Sequence, residues 1–292
     1  MFLPICEKLN FPRESLGVLE SAHRAIAEDP RVADAFAAAC ESLLHPDGNV
    51  FRPAAAALAE KTGIPLLTLH LVLQVHCLES LRQIYAENGF SEEFFWELAG
   101  MIRDQMLECR EQHSLWGNET GLWPWVFHEW QCLTFGRLVY EPMPHWGAAY
   151  KGVKKGDPTI LIHIPGGKPL DMDAVMESLK QAYAHFRHQF PGGIVPFVTD
   201  TWLLYPPYME SVFPKDGNVQ KFAALFHILD QYTDETYENF PSVFGCPFQG
   251  ADLSQMPQKT RLQRNLLDYL RRGNPMGAAH GIFFYDENGI VK

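Results

Sequence analysis

The pattern of the sequence changes near residues 116–118, and this change constrains the fold more than any other feature. Residues 12 to about 115 carry apolar side chains at helical spacing, separated by short breaks. After Trp116-Gly117-Asn118, glycine, proline and aromatic residues become dense and strand patterns begin. We therefore expect two domains, a helical one over residues 1–116 and a sheet-containing one over residues 117–292.

The second part alternates strand and helix patterns. Residues 159–164 form a nearly continuous apolar run, which is typical of a strand covered on both faces. Residues 135–141 alternate as a strand, and Gly156-Asp157 in the connecting segment favours an antiparallel pair. The other elements expected are a helix from Trp123 to about Leu133, a helix from Asp171 to about His188, a strand over 195–204, a helix from Asn218 to Phe226, a strand over 226–232, a helix over 259–272 and a strand over 281–285. This order predicts an α+β or α/β fold in which helices flank a mixed sheet.

The charge balance excludes one class of partner. The chain has 24 Lys and Arg residues against 35 Asp and Glu residues, which gives a formal net charge of −11. A protein that follows a nucleic-acid backbone needs basic residues to replace counterions, so we expect no nucleic-acid partner.

Targeting and redox signals favour a reduced, cytoplasmic chain. The first seven residues lack the basic and long apolar segments of a signal peptide. The most apolar stretch, residues 64–78, is interrupted by polar side chains, so we expect a buried helix there and no membrane partner. The six cysteines are widely spread, and the 12 histidines show no zinc-binding spacing, so no metal is expected.

His163 stands out among the titratable residues. Its neighbours Ile162 and Ile164 should point to the opposite face of the strand, and Pro165-Gly166-Gly167 follows at once. Such a histidine either faces a cleft at the end of a strand or is a satisfied core residue. The sequence leaves both readings open.

Two loops that lead into helices offer places for a phosphate. Residues 165–171 provide backbone N–H groups and a lysine, but Asp171 would compete with an anion, which favours a plain turn. Residues 215–221 contain Gly217, which permits close approach of the backbone, and the alternative there is an ordinary capped helix start. Neither loop matches a Walker A or dinucleotide-binding pattern, and no nucleophile elbow is present.

Three sequence motifs in the second part carry a family resemblance. They are Gly136-Arg137-Leu138-Val139-Tyr140-Glu141, His163-Ile164-Pro165 and Asp200-Thr201-Trp202-Leu203-Leu204-Tyr205-Pro206. In this order and spacing, the chain from about residue 10 to residue 285 resembles a bacterial family of acyltransferase-domain proteins. In that family, a helical N-acyltransferase N-terminal domain precedes a C-terminal domain similar to the GNAT fold.

The resemblance implies that acetyl-CoA or another acyl-CoA binds in a cleft where two neighbouring strands splay apart. Mapping by strand order makes residues 196–204 the central strand and makes the helix 171–188 an insertion. The helix that begins at Asn218 then faces the phosphates. The residues that this mapping implies in cofactor binding are Trp202, Leu203, Gly217, Asn218, Val219 and Gln220.

The resemblance also implies an N-acyltransferase reaction in which an unknown small-molecule or peptide amine attacks the thioester directly. A base must remove the ammonium proton, and the candidates are His163, Glu141 and Asp200. The loop at 214–220 lacks the glycine-rich sequence of typical GNAT enzymes. Two alternatives are therefore kept, a non-catalytic acyl or CoA sensor and a partner-binding protein with a degenerate cleft.

Overall fold

The computed structural model describes residues 2–44, 48–87, 89–119, 133–166, 169–234, 239–246 and 248–291. Its contacts divide the chain into two compact units, Met1–Cys132 and Leu133–Lys292. The helix expected from Trp123 to about Leu133 lies outside the described residues up to position 132, and Leu133 begins a strand. The domain boundary expected at residue 116 stays a prediction.

The first unit is helical, as the apolar spacing predicts. Its most buried helix packs against the other five helices of the unit and keeps one exposed polar stripe, formed by His76, Ser80, Gln83 and Glu87. The helices are α1 (Phe2–Lys8), α2 (Arg13–Ala27), α3 (Ala33–Leu44), α4 (Gly48–Thr62), α5 (Leu66–Glu87), which is that central helix, and α6 (Glu92–His113). No strand occurs among the described residues of this unit.

Helix α5 is the apolar segment singled out in the sequence, and the structure makes it a buried core helix. In the described part of the chain, no single helix is long and apolar enough to span a membrane. The bent pair Val50–Thr62 and Leu66–Glu87, with 116° between the two helices, meets the length and composition test only when the helices are taken together.

The second unit contains a mixed sheet with helices beside it. Its described elements are β1 (Leu133–Phe135), β2 (Leu138–Pro144), β3 (Pro158–His163), α7 (Met172–Phe186), β4 (Val195–Thr201), α8 (Pro206–Ser211), α9 (Asn218–Ala223), β5 (His227–Thr233), α10 (Phe240–Phe244), α11 (Arg261–Arg271), β6 (Gly277–Asp286) and β7 (Gly289–Val291). The expected fold class, a helical part followed by a mixed sheet flanked by helices, is confirmed.

The strands follow the order β1-β2-β3-β4-β6-β5, and β7 pairs with the end of β6. β2 and β3 are antiparallel, as expected from the turn between them. β3 and β4 are the parallel pair of this described sheet, and their ladder contains two paired positions, Ile160↔Phe197 and Leu161↔Val198. Beyond these, the Thr199 hydroxyl donates to the Ile162 carbonyl over 2.9 Å and joins the two strands through a side chain.

The two faces of the sheet have different coverings. On one face, here called the helix face, Tyr140 and Phe197 lie in the apolar layer that α7 covers. On the other, here called the loop face, Val198 packs with side chains of the β2–β3 connection such as Trp146 and Tyr150. Because side chains alternate along a strand, this division decides which residues meet each covering.

The helix 171–188, interpreted above as an insertion, is the crossover between β3 and β4. Parallel strands cannot be joined by a tight turn, so a connection of this kind is required between them. The sequence mapping takes the helix that begins at Asn218 as the one that follows the central strand. That mapping is wrong, because the order of elements along the chain differs. α8 and two turns separate β4 from that helix.

Several element boundaries also differ from expectation. The segment expected as one strand over 135–141 is divided by a turn at Gly136-Arg137 into the end of β1 and the start of β2. The strand expected over 195–204 ends at Thr201, whose hydroxyl accepts from the Leu203 N–H, and a short 3-10 turn over Trp202–Leu204 follows. Gly217, without a side-chain cap, precedes α9, so Asn218 is its first helical residue rather than its cap. The last long strand begins at Gly277 instead of residue 281.

Gly277, the first residue of β6, explains why the sequence pattern does not predict the start of this strand. A Cβ at this position would lie 2.5 Å from the Tyr205 ring and 2.5 Å from the Tyr232 carbonyl oxygen. The strand therefore opens with a glycine followed by two alanines, residues with low strand propensity, because neighbouring elements approach closely.

Ser178 on α7 fixes this helix to the first hairpin. Its hydroxyl donates to the Phe135 carbonyl, and it accepts from the Tyr140 hydroxyl at 2.8 Å and from the Leu138 N–H at 3.2 Å. Ser178 is 1% exposed, so water cannot replace these bonds. One side chain thus satisfies three buried polar groups at the place where α7 meets β1 and β2.

Replacing Ser178 with alanine is expected to lower the free energy of unfolding by about 2 kcal/mol, because buried polar groups lose their partner. Urea denaturation followed by circular dichroism measures this change. Ser211→Ala, at the exposed end of α8, is the matched control and should change stability by less than about 0.5 kcal/mol. Equal stability of the two variants would contradict the anchoring role of Ser178.

Candidate active site

The divergence of β3 from β4 creates the most favourable place for a ligand in the second unit. Ligands of open sheets with parallel strands bind beyond the carboxyl ends of the strands, where neighbouring connections separate. Here the β3–β4 ladder ends at Leu161 and Val198, and each strand continues for two or three residues. The chain then leaves β3 through residues 164–171 into α7.

His163, the last residue of β3, lies at this divergence. Its Nε2 is 2.8 Å from Oε2 of Glu141 on the neighbouring strand β2. The side chains are 23% and 21% exposed, so both are partly shielded and still accessible. The structure therefore brings together two of the three candidate bases on the loop face of the sheet.

The pairing between these strands explains the contact. Val139 is opposite His163, and Glu141 is opposite Leu161, so Glu141 and His163 are diagonal neighbours on one face. Ile162 points to the other face and is 2% exposed, as the alternation predicts. The side chain of His163 is thus partly exposed and also hydrogen-bonded, and its role in the site stays a prediction.

The pair has a defined chemical capacity. When the Nε2–H of neutral His163 donates to the Glu141 carboxylate, the lone pair of the ring lies on Nδ1. The carboxylate then holds the ring in one orientation and stabilises the positive charge that forms when Nδ1 accepts a proton. A carboxylate–imidazole pair of this kind is suited to general base catalysis.

Asp200, the third candidate, is on the other side of the divergence. It lies near the end of β4, is exposed, and accepts from the Tyr232 hydroxyl over 2.9 Å. In the antiparallel pairing of β4 with β6, Asp200 is opposite His280. The structure therefore gives Asp200 partners that differ from those of the His163–Glu141 pair.

His280 is a residue of this region that the sequence analysis missed. It is 2% exposed, and its ring stacks on Trp146 at a centroid distance of 4.5 Å and an interplanar angle of 2°. Burial lowers the pKa of His280, while the carboxylates of Asp200 and Asp230 act in the opposite direction. In the sequence, His280 differs from its surroundings only by its alternation with Ile282. The strand is expected to begin at residue 281, so His280 lies outside it in that prediction.

The residues predicted to bind the cofactor have packing contacts instead. Trp202, Leu203 and Val219 pack against an aromatic cluster that includes Tyr208 and Phe213. This cluster is built mainly by the elements that follow β4 in the chain.

The polar contacts of the other predicted cofactor-binding residues are also made within the protein. The Gln220 amide donates to the Met209 carbonyl at 2.6 Å and to the Phe213 carbonyl at 3.1 Å. A Cβ on Gly217 would be 3.0 Å from the Pro214 carbonyl, and Asn218 opens a helix of six residues. Their role in cofactor binding stays a prediction, and these contacts do not support it.

The loop before α7 has stronger features for a phosphate. It opens a helix of 15 residues, and Asp171 caps that helix by accepting from the Ala174 N–H at 3.0 Å. The Arg137 guanidinium, from the β1–β2 turn, donates to the Pro169 carbonyl at 2.8 Å. A helix start and a half-buried arginine thus meet at this loop and favour an anion, while the Asp171 carboxylate that caps the helix opposes one, as the sequence indicates.

Among the residues that the structure describes, no three His, Cys, Asp or Glu side chains are grouped so that they could hold a metal ion.

Comparison with known proteins agrees with this architecture. The family model described as N-acyltransferase N-terminal domain matches residues 3–132, and the one described as GNAT-like C-terminal domain matches residues 132–283. No curated protein sequence matches the chain.

Several solved structures share the fold over most of its length. An acyltransferase in complex with decanoyl-CoA has a TM-score of 0.75 at 20% identity, over 96% of this chain and 86% of that chain. An acyltransferase in complex with decanoyl-CoA and teicoplanin has a TM-score of 0.77 at 19% identity, with the same coverage of 96% and 86%. At this level of identity, the likeness shows the fold.

The model of the GNAT-like domain covers more than half of the chain, and it spans β2, β3, α7 and β4. These are the elements that form the divergence and carry the His163–Glu141 pair. The chain belongs to the family with a GNAT-like C-terminal domain, preceded here by a match to the N-acyltransferase N-terminal domain.

Proposed function

We propose that the protein is an acyl-CoA-dependent N-acyltransferase. The observation that carries the proposal is the His163–Glu141 pair at the point where the parallel strands β3 and β4 separate. A base with a partner carboxylate beside a cleft is what attack by an amine on a thioester needs. The related structures that contain decanoyl-CoA support acyl-CoA as the co-substrate.

In this proposal the acyl-CoA arm lies in the divergence between β3 and β4. Among the described residues, backbone pairing of β3 with β4 stops at Leu161 and Val198, and the Ile162 carbonyl beyond it already accepts from the Thr199 hydroxyl. The amides of the pantetheine arm therefore pair, in this proposal, with other backbone groups of the two strand ends. The phosphates lie at the loop over residues 164–171, near the start of α7 and Arg137. This placement replaces the earlier one at Gly217–Gln220, because α7 and not α9 connects the parallel strands.

The proposed reaction accounts for every proton that is transferred. His163 Nδ1 removes a proton from the acceptor ammonium, and the freed amine forms a bond to the thioester carbonyl carbon. Glu141 stabilises the imidazolium that results. The C–S bond then breaks and its electron pair leaves on sulfur. The second proton that the nitrogen loses as it becomes an amide passes to the CoA thiolate.

The acceptor in this proposal is a small-molecule or peptide-like amine. One of the related acyltransferase structures contains teicoplanin together with decanoyl-CoA, which supports an acceptor of this kind. A cytoplasmic location, where acyl-CoA is available and thiols stay reduced, completes the proposal.

The first test removes the base. His163→Gln keeps a polar side chain but cannot accept the proton, so kcat should fall by about 10²–10⁴-fold. Glu141→Gln should cause a smaller loss, because the imidazole remains. Decanoyl-CoA consumption with a panel of primary amines measures both, and His188→Gln, an exposed histidine of the same unit, is the control.

Unchanged affinity for decanoyl-CoA in the His163 variant would separate loss of chemistry from loss of binding. Normal turnover by His163→Gln would contradict its role as base. If the wild type binds decanoyl-CoA and acylates no amine in the panel, the sensor alternative replaces the enzyme.

The second test compares the two placements of the phosphates. Gly166→Asp places a carboxylate in the loop before α7, where it should repel the phosphates and weaken CoA binding by about tenfold or more. Gly217→Asp places the same charge before α9 and should leave the affinity nearly unchanged. Calorimetry with CoA measures both variants, and the reverse ranking would restore the placement at Gly217–Gln220.

A further inference from the structure

Two halves of the described sheet meet at the short parallel ladder between β3 and β4. On one side, β3 stays paired with β2 as far as His163, which is opposite Val139. On the other side, β4 stays paired with β6 as far as Thr201, which is opposite Ala279. Each strand is therefore supported on its outer side beyond the end of the ladder. The separation of the two halves at this point decides how far His163 stands from β4.

A threonine side chain joins the two halves just beyond the ladder. Counting one position past the last paired residues places Thr199 of β4 beside Ile162 of β3. The Thr199 hydroxyl donates to the Ile162 carbonyl over 2.9 Å. In a regular parallel ladder, such a carbonyl accepts from a backbone N–H of the neighbouring strand. Here a side chain takes the place of that backbone donor where the strands begin to diverge.

This hydrogen bond is shielded from water, and its donor is rigid. Thr199 and Ile162 are both buried, so water does not readily replace either partner. Threonine is branched at Cβ, which restricts rotation about χ1 and keeps the hydroxyl directed at its acceptor. The hydroxyl therefore acts as a fixed link between the two halves of the sheet.

The acceptor of this hydrogen bond is covalently attached to the candidate base. The Ile162 carbonyl belongs to the planar peptide group that continues into the backbone nitrogen of His163. Holding this carbonyl therefore restrains the backbone that carries the imidazole. The Glu141 carboxylate restrains the ring itself from β2, because its Oε2 lies 2.8 Å from Nε2 of His163.

We propose that Thr199 is a positioning residue for His163. The inference rests on the proposed acyl transfer, because it concerns the base of that reaction. In this role Thr199 acts through His163: its hydroxyl fixes the backbone of the base relative to β4, whose end borders the proposed place of the acyl-CoA arm. The base and the thioester are then held at one separation, and the rate of such a reaction depends on that alignment.

Thr159 offers a matched comparison at the other end of β3. Its hydroxyl donates to the Met143 carbonyl of β2 at 2.9 Å, and this threonine is also buried. Both threonines thus join a hydroxyl to the carbonyl of a neighbouring strand. Thr159 lies four positions before His163 on β3, which is about 13 Å along the strand. Loss of either hydroxyl should destabilise the fold, and only the loss at Thr199 should affect the base.

Thr199→Val tests the proposal, because it removes the hydroxyl and keeps nearly the same shape. In the full-length protein, with decanoyl-CoA and the best amine of the panel, kcat should fall by about tenfold or more, since a displaced base loses its alignment. KM for decanoyl-CoA should change by less than about twofold, because this hydroxyl does not bind the acyl-CoA. Thr199→Ser keeps the hydroxyl and should restore most of kcat.

The matched control is Thr159→Val, which should lower the urea midpoint about as much as Thr199→Val and leave kcat unchanged. A similar kcat in the two valine variants would overturn the inference. A serine variant as impaired as Thr199→Val would also overturn it, and so would a raised KM for decanoyl-CoA at normal kcat. If Thr199→Val does not fold, Thr199→Cys supplies a weaker donor of similar size, and full kcat in that variant would overturn the inference.

A spectroscopic measurement separates this inference from the proposed function. NMR of protein labelled with 15N-histidine follows the Nε2 proton of His163, which lies between the ring and Glu141. Its exchange with water should be about threefold faster or more in Thr199→Val, because the backbone of the ring is released, and unchanged in Thr159→Val.

A wild type that acylates no amine, but shows this difference in exchange, would contradict the enzyme and support the positioning role of Thr199. A wild type that acylates amines, with exchange and kcat both unchanged in Thr199→Val, would support the enzyme and overturn the positioning role.

Discussion

The parallel pairing of β3 with β4 is the interaction on which the second unit depends. Two strands that run the same way need a long connection, and α7 supplies it across one face of the sheet. The backbone ladder between them has only two paired positions, after which the Thr199 hydroxyl takes over by bonding the Ile162 carbonyl. The short ladder joins the two halves of the sheet, and beyond it the described strands no longer pair through their backbones.

Because side chains alternate along these strands, the residues that pack against α7 and the residues of the candidate site lie on opposite faces of the sheet. The helix face packs against α7, where Ser178 satisfies the polar groups of the hairpin. Val198 and Ile282 are buried on the loop face as well. The loop face receives the charged and titratable side chains, with His163 and Glu141 on one side of the divergence and Asp200 on the other. Substitutions at the partly exposed residues of the loop face can therefore alter the chemistry while α7 stays packed on the helix face.

Strong local patterns were sufficient for much of the fold. The apolar run at 159–164 predicted β3, and the amphipathic segment at 259–272 predicted α11, which begins after a capping box at Thr260. Alternation also predicted that His163 faces away from Ile162. These predictions succeeded because the type of an element depends mainly on the periodicity of its own residues.

The sequence by itself determined the helical first part, the mixed sheet of the second part and the side of β3 on which His163 projects. The tertiary structure decided which strands are neighbours, because strand order depends on contacts between distant segments. It placed β6 between β4 and β5, and so set His280 between Asp200 and Asp230. The start of β6 was hidden for the same physical reason, since Gly277 is required by the approach of Tyr205 and Tyr232 rather than by any preference of its own segment.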